Sequence, residues 1–102
     1  MSAPKRRLIL APRAQGDVRD IEAYTRARWD AAQWEDYRAS LDRAFDALIE
    51  NPELGRARPE LGAQIRSHVM REHIIYYQVG AGTLLVLRIR HGRTDPRRAL
   101  RG

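Results

Sequence analysis

Cysteine is absent from the 102 residues, which excludes a disulfide framework, thiol catalysis and thiolate metal sites. Long apolar runs are absent too: nothing approaches the roughly 20 residues that cross a bilayer. The start, MSAPKRRLILAPRAQ, is basic, but only Leu8, Ile9, Leu10 and Ala11 stand before Pro12, too few for a signal-peptide core. A cytoplasmic protein with no membrane partner is expected. Repeats, low-complexity tracts and linkers are also missing, so residues 1–102 read as a single domain. Lysine is nearly missing: Lys5 is the exception among 19 basic residues, all the others being arginine. What is present is a globular composition, 43% apolar and 31% charged.

The charge is unevenly placed. Residues 1–51 carry nine basic and nine acidic side chains, whereas residues 52–102 carry ten against four, the whole of the net +6. From Arg88 onward six arginines face Asp95 alone. Codon use in a GC-rich genome accounts for a general preference for arginine, but not for its collection at one end. Arginine binds phosphate and carboxylate bidentately, so that end points to an anionic partner, nucleic acid or an acidic protein segment.

Hydrophobic period divides the chain into elements. Residues 6–11 read as a short buried strand closed by Pro12, which suits the first turn of a helix. Ala14, Val18, Ile21, Tyr24 and Thr25 then recur at helical spacing. Asp30 with Gln33 has the spacing of a capping box, so a second helix starts near Ala31. Its stripe is Trp34, Tyr37, Leu41, Ala44, Phe45 and Leu48, and it ends near Asn51 because Pro52 disfavours helical geometry before it. Residues 52–62 read as loop. The period then becomes two, in Ile65, Ser67 and Val69, in Ile75, Tyr77 and Val79, and in a last strand from Thr83 to His91. The expected fold is α+β, ordered β-α-α-β-β-β, a helical hairpin packed on a mainly antiparallel sheet.

Register in the last hairpin follows from keeping apolar residues on one face. A three-residue turn pairs Val79 with Thr83, Tyr77 with Leu85 and Ile75 with Leu87, and places Glu72 opposite Arg90. The alternative, a two-residue turn pairing Tyr77 with Leu84 and Ile75 with Val86, would run the same face into Arg88. The first register puts Ile74, Tyr76, Leu84, Val86, Arg88 and Arg90 on the face away from the helices. An exposed apolar patch beside arginines suits an amphipathic, partly acidic peptide.

Several segments together carry a family resemblance. They are the opening strand with Ala11-Pro12 and Ala14; Asp17-Val18, Ile21 and Tyr24; and Asn51-Pro52 with Leu54-Gly55-Arg56. Ile65-Arg66-Ser67, His73-Ile74-Ile75-Tyr76-Tyr77 and the run Arg88-Ile89-Arg90-His91-Gly92-Arg93-Thr94-Asp95 complete the set. From Leu8 to about Leu100 the chain resembles the ParE branch of the RelE/ParE toxin superfamily of bacterial toxin–antitoxin modules. The resemblance implies that fold, no cofactor, and a ParD-like antitoxin that neutralises the toxin in a hetero-oligomer. It also implies one of two targets: DNA gyrase for ParE-type members, mRNA on the ribosome for RelE-type nucleases.

The two targets need different residues. Cleaving RNA through its 2′-hydroxyl needs a base, an acid and cations at the phosphate. Arg66, Arg88 and Arg90 are the candidate cations, and His91, with Glu72 as a second group, the candidate acid–base residue. The plainer reading of His91 is a strand-end histidine that hydrogen-bonds locally. The lysine-rich surface of many RelE-type nucleases is missing, and residues 96–102 lack the terminal tyrosine or histidine that several of them use. These departures favour a non-enzymatic gyrase inhibitor. Its expected target- or antitoxin-binding residues are Ile74, Tyr76, Leu84, Val86, Arg88, Arg90, His91, Arg93, Arg97 and Arg98. A plain nucleic-acid-binding module is the third class; the basic end suits it and the apolar strand face does not.

Other constellations are weaker. His68, His73 and His91 lack metal-ligand spacing, so no metal is expected. Ser67 and His68 alternate faces and build no nucleophile–base pair. Gly80-Ala81-Gly82 precedes no helix, which makes it a hairpin turn and not a phosphate loop. Trp29 and Trp34 read as core or staple residues ahead of a nucleotide-stacking platform. Arg97, Arg98 and Arg101 read as a solvated tail or as a handle for an acidic segment.

Overall fold

A computed structural model describes residues 6–101. Strand β1 (Arg7–Leu10) leads into the hairpin of α1 (Pro12–Arg28) and α2 (Ala31–Glu50). A 3-10 turn (Pro52–Leu54) and β2 (Arg56–Ala57) follow, then β3 (Ile65–Met70), β4 (His73–Val79), β5 (Thr83–His91) and α3 (Pro96–Arg101). The five strands form one sheet in the order β1-β5-β4-β3-β2, with β1 parallel to β5 and every other pair antiparallel. The helical hairpin on a mainly antiparallel sheet is the expected α+β architecture. Among the described residues no helix is long and apolar enough to cross a membrane.

The helix boundaries follow local chemistry. Pro12 occupies the first turn of α1, where its missing N–H goes unneeded. Asp30 caps α2, its side chain accepting the Gln33 N–H at 2.7 Å. Asn51 serves two elements: its N–H closes α2 on the Ala47 carbonyl, and its side chain accepts the Glu53 N–H. The whole expected stripe of α2, from Trp34 to Leu48, is buried. It packs on Ile75 and Tyr77 of β4 and Leu84, Val86 and Ile89 of β5. The α1 stripe is weaker: Ala14 and Thr25 are buried, Val18 and Ile21 only partly, and Tyr24 is exposed.

The 52–62 segment is more ordered than a loop. The buried Tyr77 hydroxyl donates to the Pro52 carbonyl at 2.6 Å and accepts the Gly55 N–H at 2.9 Å. Gly55 passes so close that a Cβ there would run into the Tyr77 hydroxyl and the Ser67 carbonyl. This pins the chain for β2, which pairs Arg56 with Ser67 and Ala57 with Arg66. Two residues of strand leave no period to detect.

The β4–β5 register differs from the expected one. Val79 pairs with Leu84, Gln78 with Leu85 and Tyr77 with Val86; beyond a bulge, Tyr76 pairs with Arg88, Ile75 with Ile89, Ile74 with Arg90 and His73 with His91. Gly80 donates its N–H to the Thr83 carbonyl, so the turn proper is Ala81-Gly82. Glu72 therefore does not face Arg90. The expectation assumed an uninterrupted pleat, whereas the bulge absorbs Leu87 as an extra residue and resets the alternation. Leu84 and Val86 thus lie in the main core and leave the surface altogether. The observed two-residue turn is also not the one weighed from the sequence, since Tyr77 meets Val86 and Ile75 meets Ile89, and Arg88 and Arg90 still stand on the side of the strand opposite the core.

That opposite side is not bare either. Asp95 accepts the Arg97 N–H at 2.9 Å and opens α3, whose Ala99 is buried. Tyr76 is completely buried, with Arg58 and Asp95 as the charged groups that face it. Arg97, Arg98 and Arg101 are exposed, but they ride on a docked helix and do not form a solvated tail.

Candidate functional site

Strand β1 stops pairing at Leu10 opposite Val86, and Ala11 donates the last ladder bond to the Val86 carbonyl. From there the edge of β5 is open, and α1 crosses it. Asp17 on α1 fills the gap, accepting the Ile89 N–H at 2.9 Å. The same carboxylate receives Arg88 bidentately, Nε to Oδ2 at 2.8 Å and Nη2 to Oδ1 at 2.9 Å. Arg88 Nη1 reaches the Ala99 carbonyl at 3.0 Å, tying α3 to the same cluster. Burial pushes the Asp17 carboxyl upward, but the Arg88 and Ile89 hydrogen bonds outweigh it and hold the pKa below the usual range. Its hydrogen bond to Asp17 raises Arg88 further. Arg90 Nη1 approaches Asp17 Oδ1 at 3.6 Å, while its buried Nε has no partner among the described residues.

A second group lies where the turn of the helical hairpin meets the β3–β4 turn and the end of β5. His73 and His91 are cross-strand partners with ring centroids 5.8 Å apart. Tyr37 of α2 meets His73 Nδ1 at 3.1 Å through its hydroxyl, and Glu72 lies 3.8 Å from the same nitrogen. Arg71 pairs with Asp36 at 2.7 Å and lies over the Tyr37 ring. His91 Nδ1 accepts the Arg93 N–H at 3.1 Å, the local role of a strand-end histidine. Burial lowers the His73 pKa against the upward pull of Glu72, and His91 and Arg90 add to the lowering. Burial, then Glu72, pushes Tyr37 far above its ordinary value, so it stays a phenol.

A pH dependence follows. His73 folds with a pKa below its ordinary value of 6.5, so protonation favours the unfolded chain. Its stabilising contribution is whole above the unfolded pKa and is lost as pH falls from about 6.5 toward the lowered folded value. Urea midpoints should stay flat above neutrality and drop below it, with at most about 1.4 kcal/mol per pH unit from this group. The His73→Gln variant should lack that portion of the slope.

The residues expected to form a nuclease centre do not converge. Arg66 pairs with Tyr77 across the sheet and donates to the Gly55 carbonyl at 2.7 Å, bracing the 52–57 turn. Arg88 is consumed by Asp17. Arg90 stays beside His91 near the other end of β4 and also approaches the Asp17 carboxylate that holds Arg88. Of the expected binding residues, Leu84, Val86 and Tyr76 are fully buried, Arg88 is buried and Ile74 is half-buried. Arg93, Arg97, Arg98 and His91 are exposed and Arg90 partly so. The apolar strand face that counted against a nucleic-acid-binding module is therefore not on the surface. Among the described residues no three His, Asp or Glu side chains gather as metal ligands.

Sequence reasoning missed Asp17 as the clamp, His73 beside His91, and the exposure of Tyr24 and Trp29. For Asp17 the only signal was its place in the family-like Asp17-Val18 pair.

The fold is that of a toxin from a toxin–antitoxin module. A chain in the structure titled "Chromosomal ParDE TA system from P. aeruginosa" superposes with a TM-score of 0.72 at 15% identity, over 85% of this chain and 96% of that one. A chain of the toxin–antitoxin complex RelBE2 from Mycobacterium tuberculosis gives 0.61 at 20% identity, over 86% and 99%. In sequence, Toxin ParE1 of M. tuberculosis is 37% identical over 95 residues, 92% of this chain and 97% of that protein. The family described as "ParE toxin of type II toxin-antitoxin system, parDE" matches residues 8–96. The chain belongs to this ParE toxin family.

Proposed function

We propose that this ParE-type toxin acts without catalysis, inhibiting DNA gyrase in the cytoplasm until a ParD-like antitoxin binds it in a hetero-oligomer. The observation that carries the reading is the dispersal of the nuclease candidates. Phosphate cleavage needs a base, an acid and cations around one phosphate. Here Arg88 and Arg66 are spent on Asp17 and the Gly55 carbonyl, on opposite faces of the sheet. Removing either from its partner would cost stability before it served chemistry. The exposed arginines Arg93, Arg97 and Arg98 lie beside the end of β5 and on α3 and suit an acidic segment of gyrase or antitoxin. Family membership and a ParDE structural neighbour support the antitoxin half of the reading.

Purified toxin should inhibit gyrase supercoiling or trap cleaved DNA, and should leave message intact in a translating extract. Changing Arg93, Arg97 and Arg98 together to Gln should weaken inhibition without unfolding the chain, because all three are exposed. Truncation after His91 is a poorer test, since it removes the docked α3 as well. His91→Gln should leave most of the inhibition. Message cleavage that His91→Gln abolishes would replace this reading with the ribosome-dependent nuclease.

A further inference from the structure

Trp29 and Tyr24 stand out on a chain that buries its other large aromatics. They are 64% and 63% exposed, against 4% for Trp34. Trp29 ends α1, its N–H bonded to the Thr25 carbonyl at 2.8 Å, so its backbone is held. Both residues line one pocket of about 460 Å³, between the turn of the helical hairpin, the β3–β4 turn and the end of β5. That volume lies in the range of small-ligand sites.

We propose that this pocket is a stacking site for a base of single-stranded nucleic acid, with Trp29 and Tyr24 as its platform. Stacking on aromatic faces beside cations is how single strands are held without sequence readout. The cation is in place: the Arg28 guanidinium lies over the Trp29 ring, 5.9 Å from its centre, and Arg28 lines the same pocket. The pocket offers a base edge both kinds of partner. Asp20 and Glu72 supply carboxylate acceptors for exocyclic amino groups. His91 accepts the Arg93 N–H at Nδ1, so its neutral form carries its proton on Nε2 as a donor.

The charge distribution selects this occupant over an acidic peptide. Asp20, Glu72, Arg28 and Arg71 all line the pocket, but Arg71 is already paired with Asp36, so a carboxylate side chain entering would meet two carboxylates and the Arg28 cation. A neutral base meets no such repulsion, and its phosphates stay outside, in the field of a chain with net charge +6. The inference stands apart from the gyrase reading, because it needs no enzyme for its measurement.

The experiment titrates the full chain with a short oligodeoxyadenylate while following tryptophan emission, with labelled-oligomer anisotropy for the variants. Quenching of the exposed Trp29, with the buried Trp34 as constant background, is expected. Trp29→Ala should weaken binding about 5- to 150-fold, Tyr24→Ala should weaken it less, and Trp29→Phe should keep most of it. An abasic sugar–phosphate oligomer of the same length should bind weakly and leave the emission unchanged. Circular dichroism checks that each variant is folded. Equal binding of the abasic oligomer, or wild-type affinity in Trp29→Ala, would reduce the site to charge attraction and overturn the proposal. Stronger quenching by oligoglutamate than by the oligonucleotide would overturn it in favour of a peptide pocket.

Discussion

Replacing Asp17 by alanine should cost about 3–5 kcal/mol, the range for removing one partner of a buried ion pair. The loss has three parts. Arg88, only 8% exposed, would be left with a buried guanidinium lacking its counter-charge. The Ile89 N–H would lose its acceptor at an edge where β1 no longer pairs. The link from α1 through Arg88 to the Ala99 carbonyl would slacken, so α3 should fray. For a domain of this size the melting temperature should fall by on the order of 15–30 °C. The double variant Asp17→Asn with Arg88→Met, which removes both charges, should recover a large share of the loss. The sign of the pH effect is also fixed. Asp17 folds with a lowered pKa, so its contribution is whole above the ordinary value of 3.8 and is lost as pH falls through the folded value. Thermal melts across pH 7 to 2, on wild type and double variant, measure both. A single Asp17→Ala variant as stable as wild type would remove the clamp from the account.

Leu84→Ala should cost about 2–5 kcal/mol, as for a fully buried leucine that leaves a cavity. Leu85→Ala, one residue along and only half-buried, should cost well under half as much. The comparison decides the register directly. With the uninterrupted pleat that the hydrophobic pattern suggests, Leu85 and Leu87 would face the helices and the order of the two losses would reverse. Urea unfolding of both variants at neutral pH, with unchanged denaturant slopes, is sufficient.

The helical half of the fold was legible because its signals are local. Pro12, Asp30 and Pro52 mark the ends of helices within a residue or two of where they act. Every member of the α2 stripe turned out to be buried, since one amphipathic face on one sheet leaves no second solution. The α1 stripe misled at Tyr24, because apolar spacing does not say where a helix outruns the sheet beneath it. Trp29 misled for the same reason: a tryptophan between two helices reads as a staple, yet at the turn of the helical hairpin it stays largely exposed, with the Arg28 guanidinium over its ring. Arg88, Arg90 and His91 were rightly singled out as unusual. Their roles were not readable, because Arg88's partner lies 71 residues away.

By itself, then, the sequence determined the helical hairpin, the presence of three long strands, the surplus of arginine at one end and the family. These depend on caps, periods and motifs that act over a few neighbouring residues. Only the tertiary structure decided the bulge at Leu87, the burial of Leu84, Val86 and Tyr76, the docking of α3 and the pairing of His73 with His91. Each is a choice among arrangements that the local pattern leaves nearly equal in energy. What separates them is one carboxylate from α1 reaching the open edge of β5, where the Ile89 N–H and the Arg88 guanidinium both needed an acceptor.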